Sequence, residues 1–357
     1  MIQLDGSYHE GGGQIVRTAL ALSTLTGMPF EVCDIRKGRQ KPGLKNQHLY
    51  CIKALEELCN ARTEGAELGS CYLKFEPGKI RPKTLNIDIG TAGSITLMLQ
   101  ALMLPSLFAP APLRIKIKGG TDVKWAMPFD FFDGLFLDFT RDFAEVEMDL
   151  LKRGYYPKGG GKVDIKIKPR YDFQSFSTFD EFVLKLKQDI KPIDMTVRGN
   201  LQRIRGISHA SNMLEKAEVA ARQARAAKQK LGCLKVPIDI KAEYCDTLSS
   251  GSGITLFAEF EEGKLGADAL GERGKRSEAV GEEAAEKLIY EIRSGAAVDK
   301  HLADNLIPIL ALLGGQIRVS EITAHTLTNI YTVEKFLGKI FDVDSENRVI
   351  KLNEKIS

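Results

Sequence analysis

The strongest constraint on this chain is that it repeats itself. Three stretches follow one order: an apolar helix, a strand alternating apolar with charged residues, a polar turn, and an amphipathic helix. The first reads VRTALALSTLTG, PFEVCDIRKGRQ, NQHLYCIKALEELCNA; the second ITLMLQALMLPSLF, PLRIKIKGGTD, PFDFFDGLFLDFTRDF; the third LADNLIPILALLGG, QIRVSEITAHT, LTNIYTVEKFLGK. Further strands, CYLKFEPG, GGGKVDIKIKP and NRVIKLN, follow the second helices. The pattern predicts an α/β (α+β) fold in which a β-α-β-α-β-like unit is used about three times. The turn after the middle strand holds Arg36 and Arg39 in the first unit, Gly120-Thr121-Asp122 in the second and His325 in the third. Units packed about a pseudo-threefold axis would bring these turns to one cleft, and a site is expected there.

Residues 184–294 break the pattern. They read as strands (IDMTVRG, RIRGISHAS), a helix NMLEKAEVAARQARAAKQKLG ending at a C′ glycine, Gly232, two strands (VPIDIKAEY, GITLFAEFEEG) and a last helix SEAVGEEAAEKLIYEIRSG. This βαββα order predicts a small α+β domain inserted into a large one made of 1–183 and 295–357. Arg222, Arg225, Lys228 and Lys230 on its first helix read as a solvated face, with an RNA contact as the alternative.

With 43% apolar and 27% charged residues, the chain has the composition of a soluble globular protein. A net charge of +3 excludes a nucleic-acid surface spread over the whole molecule, so any such contact is local. The stretch MIQLDGSYHEGGG has neither a basic n-region nor an apolar h-region, and no signal peptide is expected. The run ITLMLQALMLPSLFAPAPL, interrupted by Gln100, Ser106 and prolines, reads as a buried helix ending near Pro105 rather than a membrane span. The six cysteines (Cys33, Cys51, Cys59, Cys71, Cys233, Cys245) show no CxxC and read as reduced cytosolic thiols, most of them buried. No histidine pair has zinc-ligand spacing.

Local chemistry is suggested at four places. HEGGGQ (9–14) precedes a helix, where glycines let N–H groups approach an anion; a structural turn explains it equally well. Neither GYYPKGGGK nor GERGKR completes G-x-x-x-x-G-K-[ST], so a P-loop is absent. Glu10, beside the glycines, makes sense near phosphates if it holds a divalent cation that bridges to them; the plain reading is an exposed loop acid. Arg36, Lys37, Arg39, Lys41 and Lys45 cluster within ten residues, and Gln47 and His48 then open a helix. So many cations with almost no acid among them read as a phosphate or RNA-backbone clamp. HLADNLIPILALLGG (301–315) places Asp304 and Asn305 in a first helical turn, where an acid suits the macrodipole or binds a ribose or base. His325 is one of five histidines. A neutral imidazole can attack near pH 7 without the partner base that serine needs, although a turn histidine is more often a hydrogen-bonding group.

Taken in order, LDGSYHEGGGQIVRTALALS, IRKGRQKPGLKNQHL, GTAGSITLMLQ, GGTD, GYYPKGGG, HLADNL and HTLTNIYTVEKFL resemble the RNA 3′-terminal phosphate cyclases along the whole chain. The resemblance implies three βαβαββ-like units and an inserted domain of thioredoxin-like order. It implies a cytoplasmic enzyme in which a histidine, His325 by position, takes AMP from ATP as a phosphoramidate. The AMP then passes to an RNA 3′-phosphate, and the neighbouring 2′-OH closes a 2′,3′-cyclic phosphate. ATP, Mg²⁺ or Mn²⁺, and RNA with a 3′-phosphate end are the implied ligands. No membrane is involved, and the oligomeric state stays open, a homodimer being one form. Glu10 resembles the family's metal ligand. Arg17, Arg36, Arg39, Gln47 and His48 fall near the triphosphate or RNA end, Asp304 and Asn305 near the nucleoside, and Pro128 against adenine. Where bacterial members read Tyr-Leu-Ala-Asp-Gln this chain has His301-Leu-Ala-Asp304-Asn305, and His301 can still stack on adenine. Two rival readings stand beside it: a non-catalytic ribosomal-RNA processing factor, which resembles the cyclases but lacks the histidine, and an enolpyruvyl transferase, built from related repeated units, which has no use for it.

Overall fold

A computed structural model describes residues 1–353. Its first sheet holds β1 (Ile2–Asp5), β2 (Phe30–Cys33), β3 (Arg62–Glu64) and β4 (Leu73–Glu76), with helices α1 (Gln14–Thr26) and α2 (Asn46–Cys59). Next come β5 (Thr84–Asp88), α3 (Ile95–Ser106), β6 (Leu113–Gly119), α4 (Phe129–Gly134), β7 (Ala144–Lys152) and β8 (Gly161–Pro169). Helix α5 (Phe179–Asp189) and the short strand β9 (Ile193–Met195) precede the next region. That region is β10 (Leu201–Ser211), α6 (Val219–Leu231), β11 (Ile238–Cys245), β12 (Ser252–Phe260), β13 (Lys264–Leu270) and α7 (Ser277–Arg293). The chain then runs through α8 (Lys300–Leu313), β14 (Gly315–Arg318), α9 (Ala324–Leu337), β15 (Phe341–Asp344) and β16 (Val349–Leu352).

Three sheets share one strand arrangement: β1-β2-β4-β3, β5-β6-β8-β7 and β9-β14-β16-β15. In each the first pair is parallel and the rest antiparallel. The alternation seen in sequence is what makes these strands one-sided. In β6, Leu113, Ile115 and Ile117 face inward while Lys116 and Lys118 face water. The fourth sheet runs β11-β10-β12-β13, with β10 parallel to β11 and antiparallel to β12.

Strand β9 differs from the sequence reading. IDM was placed within 184–294, yet Ile193–Met195 pairs in parallel with Gly315–Ile317. A strand of three residues carries too little pattern to reveal a partner so far along the chain. Helix α5 also crosses residue 184, and its Phe182 and Leu186 belong to the large core. Strand β13 was not foreseen, because KLGADAL holds no β-branched or aromatic residue. At Gly232 no left-handed cap forms: its φ is −56°, the chain continues as a 3₁₀ turn, and Lys235 takes the left-handed conformation instead.

The buried residues form two clusters. The larger is centred on α1, whose residues Gln14 to Leu25 are all buried, so a helix without a solvent-exposed face sits between α3 and α9. The smaller lies between the fourth sheet and α6 and α7. Arg222, Arg225 and Lys230 of α6 pair with Glu278, Glu218 and Glu286, which supports the solvated-face reading. Among the described residues no helix is long and apolar enough to cross a membrane. Of the six thiols only Cys51 and Cys59 are buried; Cys33, Cys71 and Cys233 are exposed, against expectation, because they lie at strand and turn ends rather than on inward faces.

Candidate functional site

Two of the three turns meet. The turn after β2 sends Arg39 to Glu10, with Nη2 at 3.2 Å from Oε2. From the N-terminus of α9, His325 brings Nε2 to 3.4 Å from that same oxygen. Gly12 lies beside the convergence: a Cβ there would meet Arg39 Nη2 at 3.9 Å and His325 Cε1 at 4.0 Å, ordinary contact distances that a small side chain could keep. Gln14 Nε2 donates to the His325 carbonyl at 2.8 Å, and Thr323 caps α9 by accepting from Thr326 N. Stacking of Tyr8 on Tyr331, at a centroid distance of 3.9 Å, ties α9 to the loop carrying Glu10.

The third turn goes elsewhere. Thr121 and Asp122 are buried, and Asp122 faces Arg153 and His209 rather than the cleft. Arg153 Nη1 lies 3.3 Å from Asp122, and its Nη2 lies 2.9 Å from Asp130. His209 Nδ1 meets the Tyr155 hydroxyl at 2.7 Å. Asp122, Asp130 and His209 place possible ligand atoms within 4.8 Å of one another, a group that no sequence spacing announced. The Arg153 guanidinium already supplies the positive charge, so a metal ion there would meet repulsion. The cluster joins β10 to the second sheet's loops and explains why this turn leaves the cleft.

Beside His325 opens a cavity of about 420 Å³ between α1, α3 and α8. Arg17, His301, Asp304, Asn305 and His325 all line it. A polar relay crosses its floor: Arg17 Nε donates to Gln100 at 3.0 Å, and Gln100 Nε2 to Asn305 at 2.8 Å. Thr18 donates to Asn329 at 2.7 Å, and Asn329 donates to the Asp304 carbonyl. Burial lowers the Arg17 pKa, with Cys51 and Asp304 opposing. Burial also pushes the Asp304 carboxyl up to about 7. His301 opens onto the cavity from an exposed position at its mouth, and desolvation followed by Lys300 brings its pKa down to about 4. Phe131 meets its edge with ring centroids 6.5 Å apart.

The helix holding these groups starts earlier than expected. Asp299, not a residue near 301, is the N-cap of α8, accepting from His301 N at 3.0 Å and Leu302 N at 2.9 Å. Asp304 and Asn305 therefore lie beyond the first turn, on the inner face.

Other expected site residues lie apart from the cavity wall. Pro128 is buried as the N-cap of α4, while Met127 and Phe131 line the cavity. Gln47 is half-buried in the first turn of α2. Arg36 is half-buried with φ +57°, and burial, then Arg39, lowers its pKa. His48 is fully buried, with no surface to offer an RNA. Its Nδ1 accepts from Lys45 N at 2.9 Å, which places its proton on Nε2. Nε2 lies beneath Gly13, where a Cβ would come within 1.9 Å of it. Burial, then Arg17, Arg36 and Lys45, brings its pKa down to about 3, so it stays neutral.

Sequence reasoning missed Gln14, Gln100, Asn329, Asp268 and Lys287 on the cavity wall. The lone Gln100 within ITLMLQALML was a usable signal, since a solitary amide on an apolar helix needs a partner. Asp268 and Lys287 come from β13 and α7, so the 201–293 region closes one side of the cavity. Burial pushes the Asp268 carboxyl up to about 6.

For a metal, Glu10 offers one carboxylate, 41% exposed. That suits a magnesium-like ion held by one acid plus substrate phosphates, and does not suit an all-protein cage.

Comparison with known proteins bears on this site. A family model described as RNA 3′-terminal phosphate cyclase matches residues 8–343. The chain is 47% identical over 344 residues to a protein of Pyrococcus furiosus named RNA 3′-terminal phosphate cyclase, covering 96% of this chain and 95% of that one. A protein of the same name from Archaeoglobus fulgidus is 42% identical over 355 residues, covering 98% and 100%. The Methanopyrus kandleri protein so named is 42% identical, covering 94% and 93%. With the match running through the glycine loop, the cavity helices and the helix that carries His325, this chain belongs to the RNA 3′-terminal phosphate cyclase family.

Proposed function

We propose that this chain is an ATP-dependent RNA 3′-terminal phosphate cyclase working through an adenylylated His325. One observation carries the reading: His325 Nε2 stands 3.4 Å from Glu10, with Arg39 3.2 Å from the same carboxylate, at the edge of a nucleotide-sized cavity. The Nε2 lone pair attacks the α-phosphorus of ATP, an N–P bond forms, and the bond to the bridging oxygen breaks, releasing pyrophosphate. An oxygen of the RNA 3′-phosphate then attacks the AMP phosphorus and the N–P bond breaks. The 2′-OH attacks the RNA phosphorus, closing the 2′,3′-cyclic phosphate and releasing AMP.

Such transfers leave the protein mainly positioning and charge neutralisation to do. Arg17 and the Asp304–Asn305 pair face the nucleoside and α-phosphate, and His301 offers a ring to adenine. Arg36 and Arg39 serve the phosphates or the RNA end, and Gln47 serves the ATP. His48 acts beneath Gly13 as a neutral support for the loop rather than as a contact. Glu10 would hold Mg²⁺ or Mn²⁺, which lowers the charge on the phosphates. The chain is also read as three repeated units with an inserted domain; the shared order of three sheets and the separate smaller core support this.

The test is incubation with α-labelled ATP and Mg²⁺ or Mn²⁺, followed by a denaturing gel. Wild type is expected to carry an acid-labile, alkali-stable label and His325→Ala none. An unlabelled wild type would return the chain to the class of non-catalytic RNA-processing factors. A label that persists in the variant would move the nucleophile to another residue.

A further inference from the structure

The chain has one tryptophan, and it is out of place. Trp125 is 94% exposed, although an indole is among the side chains that gain most from burial. Its backbone is left-handed, with φ +61°, a conformation that glycine adopts freely and a bulky residue adopts at a cost. Strain that survives at a particular residue is a reason to look for a use.

The loop carrying it is tied on both sides. Thr121 N donates to Gly154 O at 2.9 Å, and Phe129 N donates to Thr121 O at 3.0 Å. Lys124 pairs with Glu272 at 2.9 Å. After the tryptophan, the Met127 carbonyl accepts from Thr96 Oγ1 at 2.6 Å. The anchors hold the indole out at the tip, where neither ring face is covered by protein. Yet Trp125 lines the same cavity as His325, Arg17 and His301. An aromatic ring is therefore displayed at the rim of the site by a braced loop.

We propose that Trp125 is a stacking platform for a base at the 3′ end of the RNA substrate, holding that end toward His325. This rests on the cyclase reading above and adds a positioning residue to it. A ring that belonged to the bound mononucleotide would be expected against the cavity wall, as His301 is against Phe131. A polymer end arrives from solvent and crosses the rim. Stacking on an uncovered indole face is available to any base, so it grips single strands without choosing sequence. The ring also fits the mild net charge of +3, because stacking supplies affinity that scattered cations do not.

The single tryptophan makes the test direct. Full-length protein is titrated with a short single-stranded RNA carrying a 3′-phosphate, and separately with ATP, while indole emission is followed. RNA is expected to quench and shift the emission, and ATP to leave it nearly unchanged. An RNA lacking the terminal or the penultimate base is expected to lose the effect at one of those positions. In steady-state assays, Trp125→Ala should raise the KM for RNA by about 5- to 150-fold, the range of base–aromatic stacking. The KM for ATP should move less than threefold, and Trp125→Tyr should recover most of the loss. Quenching by ATP, quenching that survives both base removals, or an unchanged RNA KM would each overturn the proposal. Failure of the cyclase reading is separate: it shows as an unlabelled wild type with ATP, whereas the emission titration reports RNA stacking whether or not the histidine is adenylylated.

Discussion

At the scale of single residues, the tightest constraint is the contact between Gly13 and His48. The histidine looks like a surface contact in the sequence because it follows a basic run at a helix start. Folded, it is the support on which the glycine loop rests. A Cβ at position 13 would sit 1.9 Å from Nε2, so Gly13→Ala must displace the ring or the loop. The expected cost is about 1–3 kcal/mol in denaturant unfolding. Gly13→Ala combined with His48→Ala should cost less than the two single changes added together, since the clash is then gone. Strict additivity would show that the ring and the loop do not press on each other. The residue scale also shows the limit of pattern reading: His48 and His325 have similar local context, and only packing separates a buried brace from a half-exposed side chain at the cavity.

Among the elements, α8 is the most informative. Its N-cap at Asp299 sets the phase of the helix, and the phase turns Asp304 inward next to Arg17 and Asn329. Burial penalises the ionised carboxylate, so the folded chain keeps the proton up to about pH 7, against 3.8 for the ordinary group. Between those values the folded state binds more protons than the unfolded one. Stability from this group is therefore full below about pH 4 and lost as pH rises to about 7. Asp304→Asn mimics the protonated form. Its melting temperature should exceed that of wild type by more at pH 8 than at pH 5, and match it only below about pH 4. A uniform shift at both pH values would show that the carboxyl is ionised throughout. The helix itself was legible from its apolar spacing, and its start was not, because Asp299 lies just outside the repeat.

For the whole molecule, what matters is how the fourth sheet meets the rest. Arg153, 3% exposed, sits between Asp122 and Asp130 while His209 of β10 closes the group. Removing only the cation would leave two buried carboxylates without their partner. Arg153→Met is expected to cost about 3–5 kcal/mol, and adding Asp122→Asn with Asp130→Asn should return part of it. Thermal or denaturant unfolding checks this; a loss below about 1 kcal/mol would mean that water replaces the guanidinium. The same junction brings Asp268 and Lys287 to the cavity, so loosening it should also weaken the nucleotide binding proposed for that cavity.

Sequence alone determines the repeated helix–strand–turn pattern, because burial on one face of a strand or helix writes a period into the chain. It also locates the chemistry-bearing stretches around Glu10, Arg39, Asp304 and His325, since glycine runs, unopposed cations and a lone turn histidine are visible without coordinates. Tertiary structure alone decides which of these meet. It brings Glu10, Arg39 and His325 together, turns Asp122 away into a buried ion network, and recruits Asp268 from a distant strand. The reason is physical: periodicity records whether a side chain is buried, while its partner is chosen by packing between elements far apart in the chain.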